Sequence, residues 1–213
     1  MPPTSSSSNN TNTTVSNPPF GDPNHRPIIE RGAVRVDVNE RKIINGGGAD
    51  VVQLWPIKHK FAWDAYNVGN ANHWLPTEIS MQSDIEQWRS QTVLTDDERH
   101  AFRTVLGFFT TADSIAANNL VLAFYKHITS PEARLFLLRQ AYEEAVHTQA
   151  YQYMVESLGL DGTEIYNMYR EVEAIYNKDA FILSFNEGIF DPSFKTGTFS
   201  SDQKFLENMI VFS

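Results

Sequence analysis

The sequence predicts an all-α helical bundle, and three observations carry that expectation. Thr95-Asp96-Asp97-Glu98 is a capping box, in which a threonine and a glutamate three residues on satisfy N–H groups left over at a helix start. Ser130-Pro131 is a second start signal, a capping serine followed by proline at the first helical position, and Gly159 is the matching stop. The two helices so marked are joined by a tight turn at Thr129-Ser130, which makes them antiparallel neighbours.

Along the chain, residues 1–28 are rich in Ser, Asn, Thr and Pro with almost no aliphatic side chains, and are expected to form a disordered tail ahead of a folded region, 29–213. Residues 29–60 read as irregular, broken at Gly46-Gly47-Gly48, with Val51, Val52 and Leu54 as short anchors. A short helix is expected over about 60–71, and WLPTEISMQSDIEQW (74–88) reads as an ordered loop running into a turn of helix. The capping box opens a helix that continues through LGFFTTADSIAANNLVLAFYKHI to about residue 128, with Asp96 and Asp97 placed where the helix dipole favours negative charge. The second helix runs through LFLLRQAYEEAVHTQAYQYMVESLGL to Gly159. Thr163 is expected to cap a third, over about 164–177, and a last helix starts near Ser201. DAFILSFNEGIF, between them, is ambiguous.

A chain of 213 residues, 41% hydrophobic and 20% charged, is long and apolar enough for one domain with a real core. A formal net charge of −9 argues against nucleic acid as a partner, because phosphates demand a basic surface. No wholly apolar run approaches the roughly 20 residues of a membrane span, and the N-terminus lacks the pattern of a signal peptide. A cytoplasmic protein without membrane or nucleic-acid partners is therefore expected. Cysteine is absent, so any metal must be held by carboxylates and imidazoles.

The segment YEEAVHTQAY (142–151) places Glu144, His147 and Tyr151 at i, i+3 and i+7, on one face of a helix whose neighbours should cover it. Asp113 interrupts the apolar run LGFFTTADSIA on the preceding helix. It lies seventeen residues before Ser130 and His147 lies seventeen after, so the antiparallel pair brings both to one height. Two carboxylates and an imidazole converging there are costly unless a cation compensates them. A surface Glu–His pair is the plainer reading of Glu-x-x-His by itself, and Asp113 at matched height tips the balance to metal. In four-helix bundles the same motif builds carboxylate-bridged pairs of iron or manganese ions.

Other candidates have ordinary explanations. Tyr151 and Trp74 read first as packed aromatics. Asp97 and His100 fall in a first helical turn, where capping and the dipole account for them. His73 has no evident partner. Glu143 points about 100° away from Glu144 and reads as a supporting or surface residue.

ADSI at 112–115, EAVHTQAY at 144–151 and WLPTEISMQSDIEQW at 74–88 together resemble the small, radical-generating β subunit of class I ribonucleotide reductase. The similarity covers roughly residues 40–213, with the motifs in the family's order. The resemblance implies a ferritin-like fold and a di-iron centre, manganese being an alternative. It implies that Asp113, Glu144 and His147 are metal ligands, Glu144 bridging, and that Tyr151 bears the radical. It implies further that Trp74 relays an electron, with His147 in the same relay, toward a separate large subunit that reduces ribonucleotides to deoxyribonucleotides for DNA synthesis.

A centre of this class needs a second Glu-x-x-His and a further carboxylate from two more helices. His147 is the last histidine, so the second motif is lacking here. The chain is accordingly expected to be an N-terminal half. Its remaining ligands, an acidic relay partner and the tail that docks on the large subunit are expected from a complementary C-terminal half, with two such pairs forming the family's dimer. KFLENMIVFS is expected to leave Phe205, Leu206, Met209, Ile210, Val211 and Phe212 as an exposed apolar stub. A ligand-binding di-metal oxidase and a non-catalytic partner of a complete small subunit are the competing readings.

Overall fold

A computed structural model describes residues 37–47 and 52–212. The expected N-terminal tail, Gly48 and Val51 lie outside the described residues. The regular structure of the described part is helical, with an isolated antiparallel bridge between Ile44 and Ile128. The helices are α1 (Lys60–Ala71), α2 (Gln82–Arg89), α3 (Asp96–Asn119), α4 (Pro131–Leu158), α5 (Gly162–Glu171), α6 (Glu173–Ser184) and α7 (Phe199–Val211). The predicted loop at 74–88 resolves into a 3-10 turn, Pro76–Glu78, and α2.

The central pair is α3 and α4, packed antiparallel, and both start as the sequence dictates. Thr95 Oγ1 accepts from Glu98 N–H at 3.2 Å while Glu98 Oε2 accepts from Thr95 N–H at 2.8 Å. Ser130 Oγ accepts from Ala133 N–H, with Pro131 at the first position of α4. Gly159, at φ 66°, ends α4 in a Schellman arrangement: Gly159 N–H reaches Glu156 O and Leu160 N–H reaches Val155 O. Helix α3 does not run unbroken to residue 128. It gives way to a π-helical turn, Leu120–Phe124, closed by Tyr125 N–H to Leu120 O at 3.0 Å.

Around this pair, α1 and the Pro76–Glu78 turn lie against α4, while α5 and α6 lie against α3. One apolar cluster joins Ala62, Leu120, Phe124, Ile128, Leu137 and Phe205; a second joins Leu106, Val155, Ile165, Met168 and Ile175. Phe124 and Phe205 meet edge to face at 5.7 Å, and burying such rings is worth about 1.5–3 kcal/mol each. By length and composition, Asp96–Phe124 also meets the criterion for a membrane-crossing helix. One face of it, carrying Asp113, packs on α4 and α5, while Phe102, Val105 and Phe109 remain exposed.

Several expectations are corrected. The single helix over 164–177 is two, α5 and α6, separated at Val172, whose ψ of 108° is extended. The cap of α5 is Asp161 rather than Thr163; its carboxylate accepts from the N–H groups of Thr163 and Glu164. The last helix begins at Phe199, capped by Thr198. Val52 is exposed and anchors nothing; Ile44 does, beside the hydrogen bond from Thr129 N–H to Ile43 O. Nor is the end of α7 a bare stub: Phe205 and Phe212 are buried and Met209 and Val211 pack on the core. Leu206 and Ile210, on the opposite side of the helix, are the exposed ones.

Candidate metal centre

Helices α3 and α4 bring Asp113, Glu144 and His147 together as the sequence expects. One ligand atom from each lies within 4.8 Å of the others. His147 Nδ1 is 3.3 Å from Glu144 Oε2 and 3.4 Å from Asp113 Oδ2. All three side chains are partly buried. Burial raises the Glu144 carboxyl above its ordinary range and the Asp113 charge adds to this, with the hydrogen bond from His147 pulling the other way. A shared divalent cation would relieve that opposition, and two carboxylate oxygens with one imidazole suit iron or manganese. The donors converge on one locus, so the residues present fit one ion. Among the described residues no other group of this kind occurs.

Tyr151 joins the cluster directly. Its hydroxyl donates to Asp113 Oδ2 at 2.7 Å, and its ring stacks on Phe109 at 5.9 Å. One turn beyond His147, it reaches back because side chains on a helix lean toward its N-terminus. Burial, and then the carboxylate of Asp113, push the phenol well above its usual value, so it stays protonated. A cleft of about 240 Å³ opens beside the two carboxylates, bordered by Gln140, Ile182, Val211 and Phe212.

Trp74 stands on the other side of His147, with ring centroids 6.2 Å apart and planes tilted by 34°. Its Nε1–H donates to Glu143 Oε1 at 3.0 Å. Glu143 is therefore more than a surface residue, and its partner was not foreseen from the sequence. The available signal was Arg139, a charge inside LFLLRQAYEEA four residues before Glu143, with which it forms an ion pair. His73 also has a partner, the ring of Tyr142 at 5.8 Å. His100 remains exposed in the first turn of α3.

The family described as ribonucleotide reductase, small chain, matches residues 51–213. This chain belongs to the ribonucleotide reductase small-chain family. Similar small chains include the ribonucleoside-diphosphate reductase subunit beta of Chlamydia pneumoniae, 46% identical over 185 residues, covering 87% of this chain and 53% of that one. The subunit beta of Aquifex aeolicus is 35% identical over 161 residues, covering 74% of this chain and 23% of that protein. Among solved structures, the ribonucleotide reductase R2 subunit from Clostridium botulinum superposes with a TM-score of 0.68 at 28% identity, over 80% of this chain and 51% of that one. The chain thus has the ferritin-like helical fold of the family and spans about half the length of the Chlamydia and Clostridium small chains.

Proposed function

We propose that this chain forms part of the radical-generating small subunit of a ribonucleoside-diphosphate reductase, with Asp113, Glu144 and His147 as metal ligands and Glu144 bridging. The observation that supports this most directly is the continuous array Trp74–His147–Asp113–Tyr151: a ring pair at 6.2 Å, a contact at 3.4 Å and a hydrogen bond at 2.7 Å. When bound, a pair of iron or manganese ions held in part by these residues would supply the one-electron oxidising power.

The residues of this chain have distinct tasks in that reading. Asp113 and Glu144 bring negative charge to the cations, and His147 is a neutral donor that also faces Trp74. Tyr151 is the residue on which the radical is stored. A phenol losing an electron becomes strongly acidic, and Asp113 Oδ2 is in place to take its proton. Phe109 stacks on the tyrosine ring and adds to its apolar surroundings. Trp74 is the electron relay toward a large subunit that performs the nucleotide chemistry, and a chain without cysteine leaves thiol chemistry to that partner.

A di-metal centre of this class needs a further carboxylate and a second Glu-x-x-His, and no histidine follows His147. These donors are assigned to the part of the small subunit that its relatives have beyond the half this chain spans, the complete small subunit dimerising in the cytoplasm. The test is electron paramagnetic resonance of the assembly reconstituted with iron(II) and oxygen. Tyr151→Phe should retain the metal while losing both the tyrosyl signal and nucleotide reduction. A signal persisting in Tyr151→Phe would assign the radical to another tyrosine.

A further inference from the structure

The apolar residues of α7 do not by themselves say which side of the helix faces inward. FLENMIVF carries Phe205 and Met209 on one side and Leu206 and Ile210 about 100° further round, so rotation by one residue exchanges one apolar stripe for another. In the structure Phe205 is buried while Leu206 and Ile210 are exposed. Phe205 meets the rings of Phe124 at 5.7 Å and His127 at 5.4 Å, but burial of apolar surface is non-directional, and Leu206 would fill much of the same space.

Asn208 supplies the missing direction. It is fully buried, between the last residue of α3 and the link that follows α6. Its Nδ2 donates to Phe185 O at 3.0 Å and to Asn186 Oδ1 at 2.6 Å, and its Oδ1 accepts from Asn119 Nδ2 at 3.0 Å. A backbone carbonyl only accepts, so Phe185 O fixes which end of the Asn208 amide is the nitrogen, and Asn119 is then bound to donate. Asn119 and Asn186 are buried as well, and Asn119 Oδ1 finds no partner. Apolar side chains of this size would be easier to bury; what the asparagines add is a single setting of the helix. Rotated by one residue, α7 would put Met209 where Asn208 stands and strand Asn119 Nδ2 and Phe185 O in a dry interior.

One turn beyond Asn208, Val211 and Phe212 border the cleft of about 240 Å³ beside Asp113 and Glu144. We propose that Asn208, held by Asn119 and the Phe185–Asn186 turn, is the positioning residue of α7 and sets the register in which Val211 and Phe212 border the metal cleft. The role rests on the reading of that cleft as a metal site. Asn208 acts through α7 and is not among the ligands; rotation by one residue would aim Phe212 about 100° away and open that side of the cleft.

The chain has no cysteine, so nitroxide labels attach only where a cysteine is introduced. Leu206→Cys on α7 and Gln152→Cys on α4, both at exposed positions, report the register as a label-to-label distance by pulsed electron paramagnetic resonance. The parent should give one narrow distance. Asn208→Leu should add a second, because a 100° rotation of a helix 10–12 Å across moves an outward side chain by about 8 Å. Asn119→Leu leaves Asn208 two of its three bonds and should show the second distance at lower population; it decides the matter if Asn208→Leu does not fold. Phe205→Leu trims the core side of the same helix without touching the triad, and should keep the single distance while lowering stability. A parent-like distance in both asparagine variants, or an equal second distance in Phe205→Leu, would overturn the proposal. With manganese(II) added, the ion-to-label distance at position 206 should split in the same asparagine variants. Failure of the ion to bind would sink the metal reading and leave the label-to-label distances standing.

Discussion

Glu132 sits in the first turn of α4 with its side chain fully buried, where a bare carboxylate would be untenable. Burial raises its pKa, but hydrogen bonds from Lys58 N–H at 2.8 Å, the Ser130 hydroxyl at 2.7 Å and backbone N–H groups, His59 among them, outweigh this and bring it down to about 2. Arg41 Nη1 lies 3.9 Å away. A carboxyl whose folded pKa is depressed stabilises the fold above its ordinary value of 4.5 and loses that contribution as pH falls toward 2. The size is on the order of 3 kcal/mol. Urea denaturation at pH 7 should find Glu132→Gln less stable than the parent, with the gap closing between pH 4.5 and about 2; a gap independent of pH would contradict this. The single residues that were legible in the sequence, Asp113, Glu144, His147 and Tyr151, lie on regular helices, where spacing dictates direction. The pairing of Trp74 with Glu143 was not, because Trp74 follows the end of α1 on a segment without periodicity.

Gly107 shows how closely α3 and α5 approach. A Cβ there would fall 2.9 Å from Met168 Cβ and 2.6 Å from its sulfur, and the first of these atoms cannot swing away without moving α5. Gly107→Ala should therefore cost about 1–3 kcal/mol despite alanine's better helix propensity, measurable as a lowered midpoint in urea. A midpoint that rose would mean the helices separate freely. The starts of α3 and α4 were legible because capping chemistry is local. The break at Val172 was not, since the polar and apolar residues of 164–177 suit one helix as well as two, and packing on α3 decides between them. The π turn at Leu120–Phe124 likewise leaves no local signature in LVLAF.

At the scale of the whole molecule, the antiparallel pairing of α3 and α4 is what turns four separate side chains into one site. Equal counts on either side of Ser130 placed Asp113 opposite His147, and the extra residue in the π turn did not spoil the match. What spacing could not convey is the covering of the site by α7, whose Val211 and Phe212 border the cleft beside Asp113 and Glu144. The three proposed ligands, Asp113, Glu144 and His147, should hold one metal ion within this chain. Titration of the purified chain with manganese(II), followed by electron paramagnetic resonance, tests it most directly. One ion per chain should bind, with affinity falling at least about tenfold in Glu144→Gln and in His147→Ala and unchanged in His100→Ala. Affinity indifferent to Glu144 and His147, or a full two-metal cluster formed by this chain alone, would contradict it.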